Sequence, residues 1–282
     1  MMLNPKKWIA AGLVLASSSA LASVTSTSFQ TIEVNGNTYA NGEPGSNFNT
    51  FSIDAGNGIT IDVSGWSDTA GSSVPNGMSN NNYNRDAYIE RAVDLDRNGN
   101  GWSMVNVDEA NGACGYHHSA DNSINQCGTN GYGDYDFFLL DFNGVDVQLD
   151  QAAFSWRLGN TSDNQVTFIA LDSSYGNDLT GDTFADLQSG ASGYGYSQMF
   201  NGGNISSYYA DVNVNSSSSL WVVSAYNSMF GGNSNMEGND GFKLAGVQFT
   251  VTPPTTTTIP EPTPFAIMAV ALGLLVRTRK QQ

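Results

Sequence analysis

The sequence predicts an all-β protein, specifically a jelly-roll-like β-sandwich. Three observations carry that expectation. Apolar and polar residues alternate in segment after segment, which is the period of a half-buried strand. These segments are short and separated by runs rich in Gly, Asn and Ser, with 31 glycines in 282 residues. No stretch of the body sustains a helical period. Many short strands between such loops point to a sandwich or jelly roll rather than to βαβ units.

Taken in chain order, ITIDVS turns Ile59, Ile61 and Val63 to one face and Thr60, Asp62 and Ser64 to the other. DYDFFLLDFNGVDVQLD reads as a hairpin, because Asn143-Gly144 is the dipeptide expected of a two-residue type I′ loop. That turn would pair Phe142 with Val145, Leu140 with Val147 and Phe138 with Leu149, all on the core face. The other face would set Asp141 against Asp146, an unfavourable like-charge pair unless it is well solvated or a cation sits near it. AAFSWRL places Phe154, Trp156 and Leu158 inward, with Ser155 and Arg157 outward. VTFIALD is apolar on both faces, as in a central strand. LWVVSAY supplies another strand. KLAGVQFTV closes the set, with Ala245, Val247, Phe249 and Val251 alternating.

The two ends of the chain have a different character. Lys6 and Lys7 precede an apolar run from Trp8 to Ala16, then small residues and Ala20-Leu21-Ala22. This is the layout of a secretory signal peptide cleaved after Ala22, so residues 1–22 are set apart from the fold. At the other end, PPTTTTIPEPTP (253–264) reads as an extended linker. The apolar run Phe265–Val276 follows it. As a helix this run would span about 18 Å, short of a hydrocarbon core of about 30 Å. Arg277, Arg279 and Lys280 supply a basic cytoplasmic flank whose long stems can snorkel to extend the span. The expected organisation is a signal peptide (1–22), a β-sandwich surface domain (23–252), a linker (253–264) and a transmembrane sorting helix with a basic tail (265–282).

A Pro-Glu-Pro triplet, a short apolar helix and a terminal Arg/Lys cluster, in that order, resemble the PEP-CTERM sorting signal of Gram-negative bacteria. Pro260, Glu261 and Pro262 match the signature triplet, and Arg277, Arg279 and Lys280 match the basic cluster. A eukaryotic GPI signal has a similar outline but needs no basic stop. The resemblance implies a partner, the membrane protease-transferase exosortase. It also implies a route: Sec export, transient anchoring in the inner membrane, tail removal, and delivery to the cell surface or the exopolysaccharide matrix. A second resemblance covers about residues 109–172 and 240–252. HHSADN, the segment from Asp136, and Phe242-Lys243-Leu244 before the linker are similar to a group of PEP-CTERM surface proteins. That group carries a His-x-x-Asp-Asn element, matched here by His118, Asp121 and Asn122, with Asp136 following. The group has no assigned activity, so the match implies a surface protein and no chemistry.

Charge narrows the classes of partner. Five of the ten Lys and Arg residues, but only one of the 26 Asp and Glu residues, lie in the two terminal segments, which leaves the body at −20. Such a surface disfavours nucleic acid and anionic lipid. Cys114 and Cys127 are the two cysteines, and in an oxidising, exported setting a disulfide between them is expected. His117 and His118 lie inside that loop, but the spacing is not that of a zinc site.

Three constellations could carry chemistry. DLDRNGNG places Asp94, Asp96, Asn98 and Asn100 at alternating positions around Gly99, as the hard oxygen ligands of a Ca²⁺ loop are placed. Its twelfth position is Val105 rather than Glu, and a polar hairpin turn is the competing reading. HHSADN offers a His/Asp pair for base chemistry, yet no nucleophile motif accompanies it. The competing reading gives Asp121 and Asn122 to loop-fixing turns. Tyr194, Tyr196, Tyr208 and Tyr209, set among Gly, Asn and Ser, could form platforms for sugar stacking. The expectation is therefore a non-enzymatic surface or biofilm-matrix protein. The alternatives are a carbohydrate-binding module for exopolysaccharide, assisted by Ca²⁺, and a secreted hydrolase.

Overall fold

Strand after strand with one apolar and one polar face must bury the apolar face, and here two antiparallel sheets do so against each other. A computed structural model describes residues 23–34, 37–40, 48–68, 88–98, 101–106, 119–122, 135–158, 164–202, 206–233 and 240–251. All lie within the unit Ser23–Thr252. The strands among them, in chain order, are β1 (Val24–Ser28), β2 (Thr31–Val34), β3 (Asn37–Ala40), β4 (Thr50–Gly56), β5 (Ile59–Asp68), β6 (Ile89–Arg91), β7 (Asp94–Asn98), β8 (Gly101–Val105) and β9 (Ala120–Asp121). They continue with β10 (Asp136–Asp141), β11 (Val147–Arg157), β12 (Gln165–Leu171), β13 (Ala191–Gln198), β14 (Phe200–Asn201), β15 (Tyr208–Asp211), β16 (Leu220–Ala225) and β17 (Gly241–Val251).

The larger sheet has nine strands in the order β13-β12-β16-β10-β5-β4-β2-β3, with β6 added to β5. The smaller has eight, β14-β15-β11-β17-β8-β7, with β1 and β9 also on β17. Between them lies the main core. Ile61, Val63, Phe138, Leu140, Phe168 and Trp221 of one sheet meet Trp102, Leu149, Phe154, Leu244, Val247 and Phe249 of the other. The all-β, two-sheet expectation holds. The alternation of Ile59, Ile61 and Val63 is the inward face of β5, as its pattern requires.

The doubly apolar VTFIALD has a structural cause. Val166, Phe168 and Ala170 enter the main core, while Ile169 and Leu171 enter a second one on the outer face of the nine-stranded sheet. There Trp66, Phe137, Leu139 and Val222 are covered by Leu179, Phe184 and Leu187. The cover includes a helix, α1 (Phe184–Ser189), that the sequence pattern did not predict. Its six residues are too few to show a period. A capping box starts it: Thr183 Oγ accepts from the Asp186 amide at 3.2 Å, and the Asp186 carboxylate accepts from the Thr183 amide at 2.9 Å.

The predicted hairpin is half right. Asn143 and Gly144 both have positive φ, 54° and 79°, and the Val145 amide donates to the Phe142 carbonyl at 3.1 Å, as in a type I′ turn. The strands on either side nevertheless do not pair with each other. β10 joins β5 and β16, whereas β11 joins β15 and β17 in the other sheet. The backbone explains the split, because Ser218 and Ser219 take the places the hairpin partner would fill. The Phe142 amide donates to Ser219, and Val147 exchanges two bonds with Ser218 at 3.0 Å. Phe138, Leu140, Phe142, Val147 and Leu149 still share the core, from two opposed sheets rather than from one face. Asp141 accordingly lies opposite Asp62, not Asp146.

A second correction concerns AAFSWRL. Phe154 is in the core, but the β11–β17 register shifts between Phe154 and Trp156. A bulged residue reverses the alternation beyond it. Trp156 therefore stands half-buried opposite Lys243, whose Nζ lies 5.9 Å from the indole centroid. A further shift on the β17 side leaves Ala245 buried but outside the main core.

Lys243 is only 8% exposed. Burial pushes its ammonium below the usual 10.5, opposed in part by the Asp96 carboxylate. A lysine whose folded pKa is depressed makes the unfolded chain the stronger proton binder between the two values, so stability rises with pH across that window. Below the window the full penalty applies. Lys243→Met should therefore raise Tm at pH 7, and the gain should shrink as pH climbs through that window to 10.5. Thermal melts of both proteins at the two pH values test this, and a lower Tm for the variant at pH 7 would refute it.

Candidate functional site

Polar side chains converge on the half of the nine-stranded sheet's outer face that lies beyond the second core. Rows can be followed across the strands. Ser52 of β4, Asp62 of β5 and Asp141 of β10 form one row. Thr50, Ser64 and Leu139 form the next. Beyond β10 both rows become apolar and pass under the segment carrying α1. At this border lies a cleft of about 240 Å³, lined by Thr50, Ser52, Asp62, Ser64, Arg91, Leu139, Asp141 and Asn177.

Neighbours hold each lining group in place. Asp62 accepts from Ser52 Oγ at 2.5 Å and from Asn143 Nδ2 at 3.2 Å. Asp141 accepts from the Asn143 amide at 2.8 Å and from Asn177 Nδ2 at 2.9 Å. Arg91 donates to Thr50 Oγ1 at 3.0 Å, with its guanidinium 4.5 Å from the centroid of the Trp66 ring. The Trp66 indole in turn donates to Ser64 Oγ at 2.8 Å. Two carboxylates directly opposite on adjacent strands repel each other. The amide and hydroxyl donors around them offset part of that cost. The Asn143-Gly144 turn, whose flanks do not pair, thus has a structural use, since it delivers Asn143 to both carboxylates.

The predicted site residues fall elsewhere. Asp94 and Asp96 lie on β7, which pairs with β8 in a hairpin register closing at Asn98 and Gly101. Along such a strand alternate residues are about 6.8 Å apart, too spread to wrap one ion without the turn. The Asp94 carboxylate accepts from the Phe48 amide at 3.0 Å. Among the described residues, no three His, Cys, Asp or Glu side chains converge as metal ligands. Asn100, the Asn98 side chain, Cys114, Cys127, His118, Pro260, Glu261, Pro262, Arg277, Arg279 and Lys280 lie outside the described residues.

The rest of the His-x-x-Asp-Asn element is buried, and the structure brings its members together. Asp136 accepts from Asn106 Nδ2 at 3.2 Å and from the Asp121 amide at 3.3 Å. Asp121 accepts from Ser119 Oγ at 2.6 Å. Asn122 Nδ2 donates to the Tyr226 carbonyl at 2.8 Å and to Asp240 at 2.9 Å, and its Oδ1 accepts from the Asp240 amide at 2.9 Å. These bonds span up to 118 residues of sequence and tie β9 to the start of β17.

The four tyrosines split into separate places. Tyr194 stacks edge-on to Phe230 at 5.4 Å and is 44% exposed, whereas Tyr196 packs on Tyr226 at 5.2 Å. Both lie on β13. On β15, in the other sheet, Tyr208 lies under Arg157 and Tyr209 against Phe200. No protein-family model, curated protein or solved structure matches this chain.

Proposed function

We propose that this chain is an exported, exosortase-sorted protein of the cell surface or exopolysaccharide matrix. Its jelly-roll-like body acts by cohesion and adhesion rather than by catalysis. The observation that carries the reading is the ordered tail: Pro260-Glu261-Pro262, the apolar run to Val276, then Arg277, Arg279 and Lys280, opposite a signal peptide. A two-sheet body with most of its large side chains buried suits a protein released into the matrix. Buried donors hold the acidic residues of the element, the Ser119 hydroxyl for Asp121 and the Asn106 side chain and Asp121 amide for Asp136, which favours a structural role for them.

The sorting claim is tested in an exosortase-bearing Gram-negative host. Mass spectrometry of the surface fraction should find a chain that ends near the triplet. Replacing Pro260, Glu261 and Pro262 by alanine should leave the tail attached and the protein in the membrane fraction. Identical processing in a strain without the transferase would refute it.

A second reading, binding of exopolysaccharide by the body, is favoured by the polar cleft that Asp62, Arg91 and Asp141 line. Ca²⁺ assistance at the Asp94–Asn100 segment belongs to this reading, as a proposal resting on the ligand spacing alone.

A further inference from the structure

The cleft lined by β4, β5, β6, β10 and Asn177 combines features that a merely solvated polar face does not require. Asp62 and Asp141 stand opposite each other, although like charges in that position are unfavourable. Arg91 lines the same cleft, yet its guanidinium is engaged by Thr50 and by the Trp66 ring; among the described residues no ion pair joins it to either carboxylate. A cation and two anions are thus held beside one another on separate supports. Each carboxylate takes one donor per oxygen in the pairs described above, while a carboxylate oxygen accepts two. The guanidinium keeps further N–H groups beyond the one given to Thr50.

The cleft therefore offers fixed acceptors at Asp62 and Asp141 and fixed donors at Arg91, above a sheet whose Leu139 is all but buried. Its supports are sheet strands and a turn, so little ordering is needed on binding. We infer that it is a subsite for a neutral polysaccharide. Vicinal hydroxyls donate to Asp62 and Asp141, and a ring or hydroxyl oxygen accepts from Arg91. The volume, about 240 Å³, lies below the roughly 300–1,000 Å³ of pockets that enclose a drug-sized ligand, which suits one ring of a chain lying across the sheet. The charge of the body, −20, sets the class: it repels uronate polymers and leaves neutral ones. This inference rests on the second reading above and assigns it a site.

The test is affinity electrophoresis of the full chain, purified from an exporting host, through gels containing dextran, glucomannan or alginate. The variants are Asp62→Asn, Asp141→Asn and Arg91→Gln, with Asp211→Asn, exposed on β15 of the other sheet, as a charge control. Retardation by a neutral polymer, weakened about tenfold in each cleft variant but not in Asp211→Asn, is the expected result. Equal Tm values for Asp141→Asn and the parent show that the loss is local. Retardation that survives all three cleft variants would overturn the site while leaving glycan binding standing. No retardation by any polymer would overturn both. Retardation by alginate alone would overturn the neutral class. A Tm rise with Ca²⁺ alone, abolished by Asp141→Asn, would reassign the cleft to a cation.

Discussion

Trp102→Ala should be among the most damaging single changes in the body, costing about 3–5 kcal/mol of stability. Trp102 lies on β8 of the eight-stranded sheet and is fully buried. Its indole packs at 4.5 Å on Phe51 of the opposite sheet and edge-on to Phe48 at 5.8 Å. Its N–H donates to the Phe29 carbonyl at 2.8 Å, at the corner where the chain passes from β1 in one sheet to β2 in the other. Alanine removes the ring, leaves a cavity between the sheets and deprives that carbonyl of its donor. Trp102→Phe keeps most of the ring and loses the hydrogen bond, so about 1–2 kcal/mol is expected for it. Urea unfolding of the three proteins separates the terms. If the alanine variant lost under 1 kcal/mol, the sheets would not interlock at this point.

Much of the sandwich was legible because strand burial is a local, period-two property. Ile59, Ile61 and Val63 needed only their own alternation, and VTFIALD announced a two-sided burial that the second core then explained. What failed depended on partners far away in sequence. Asn143-Gly144 encodes a turn, but whether its flanks pair was decided by Ser218 and Ser219. Trp156 was misplaced by one bulged residue, which leaves no mark in the apolar pattern. α1 is a single capped turn and a half, below the length at which helical periodicity can be read. The cleft was the least legible of all. Asp141 was visible as half of a repelling pair, but its partner was wrongly taken as Asp146. Arg91 reaches the cleft through Thr50, 41 residues earlier in the chain.

The His-x-x-Asp-Asn element can be assigned to structure or to function by one position. Asn122 is fully buried, and its side chain makes three bonds of 2.8–2.9 Å, to Tyr226 and Asp240. Asp240 passes the tie on, since its other carboxylate oxygen accepts from the Gln165 amide at 2.6 Å, at the start of β12. β9, β12, β16 and β17 thus meet through one amide and one carboxylate. Asn122→Ala takes a partner from three buried polar groups at about 1–3 kcal/mol each, so a loss of about 3 kcal/mol or more is expected. Asn122→Asp preserves the shape but turns a donor into an acceptor facing the Tyr226 carbonyl and the Asp240 carboxylate. At neutral pH it should destabilise at least as much as alanine, which no argument from side-chain size would give. Urea midpoints of the two variants decide the matter. Stability within about 0.5 kcal/mol of the parent, together with a lost binding activity, would instead move the element from scaffold to site.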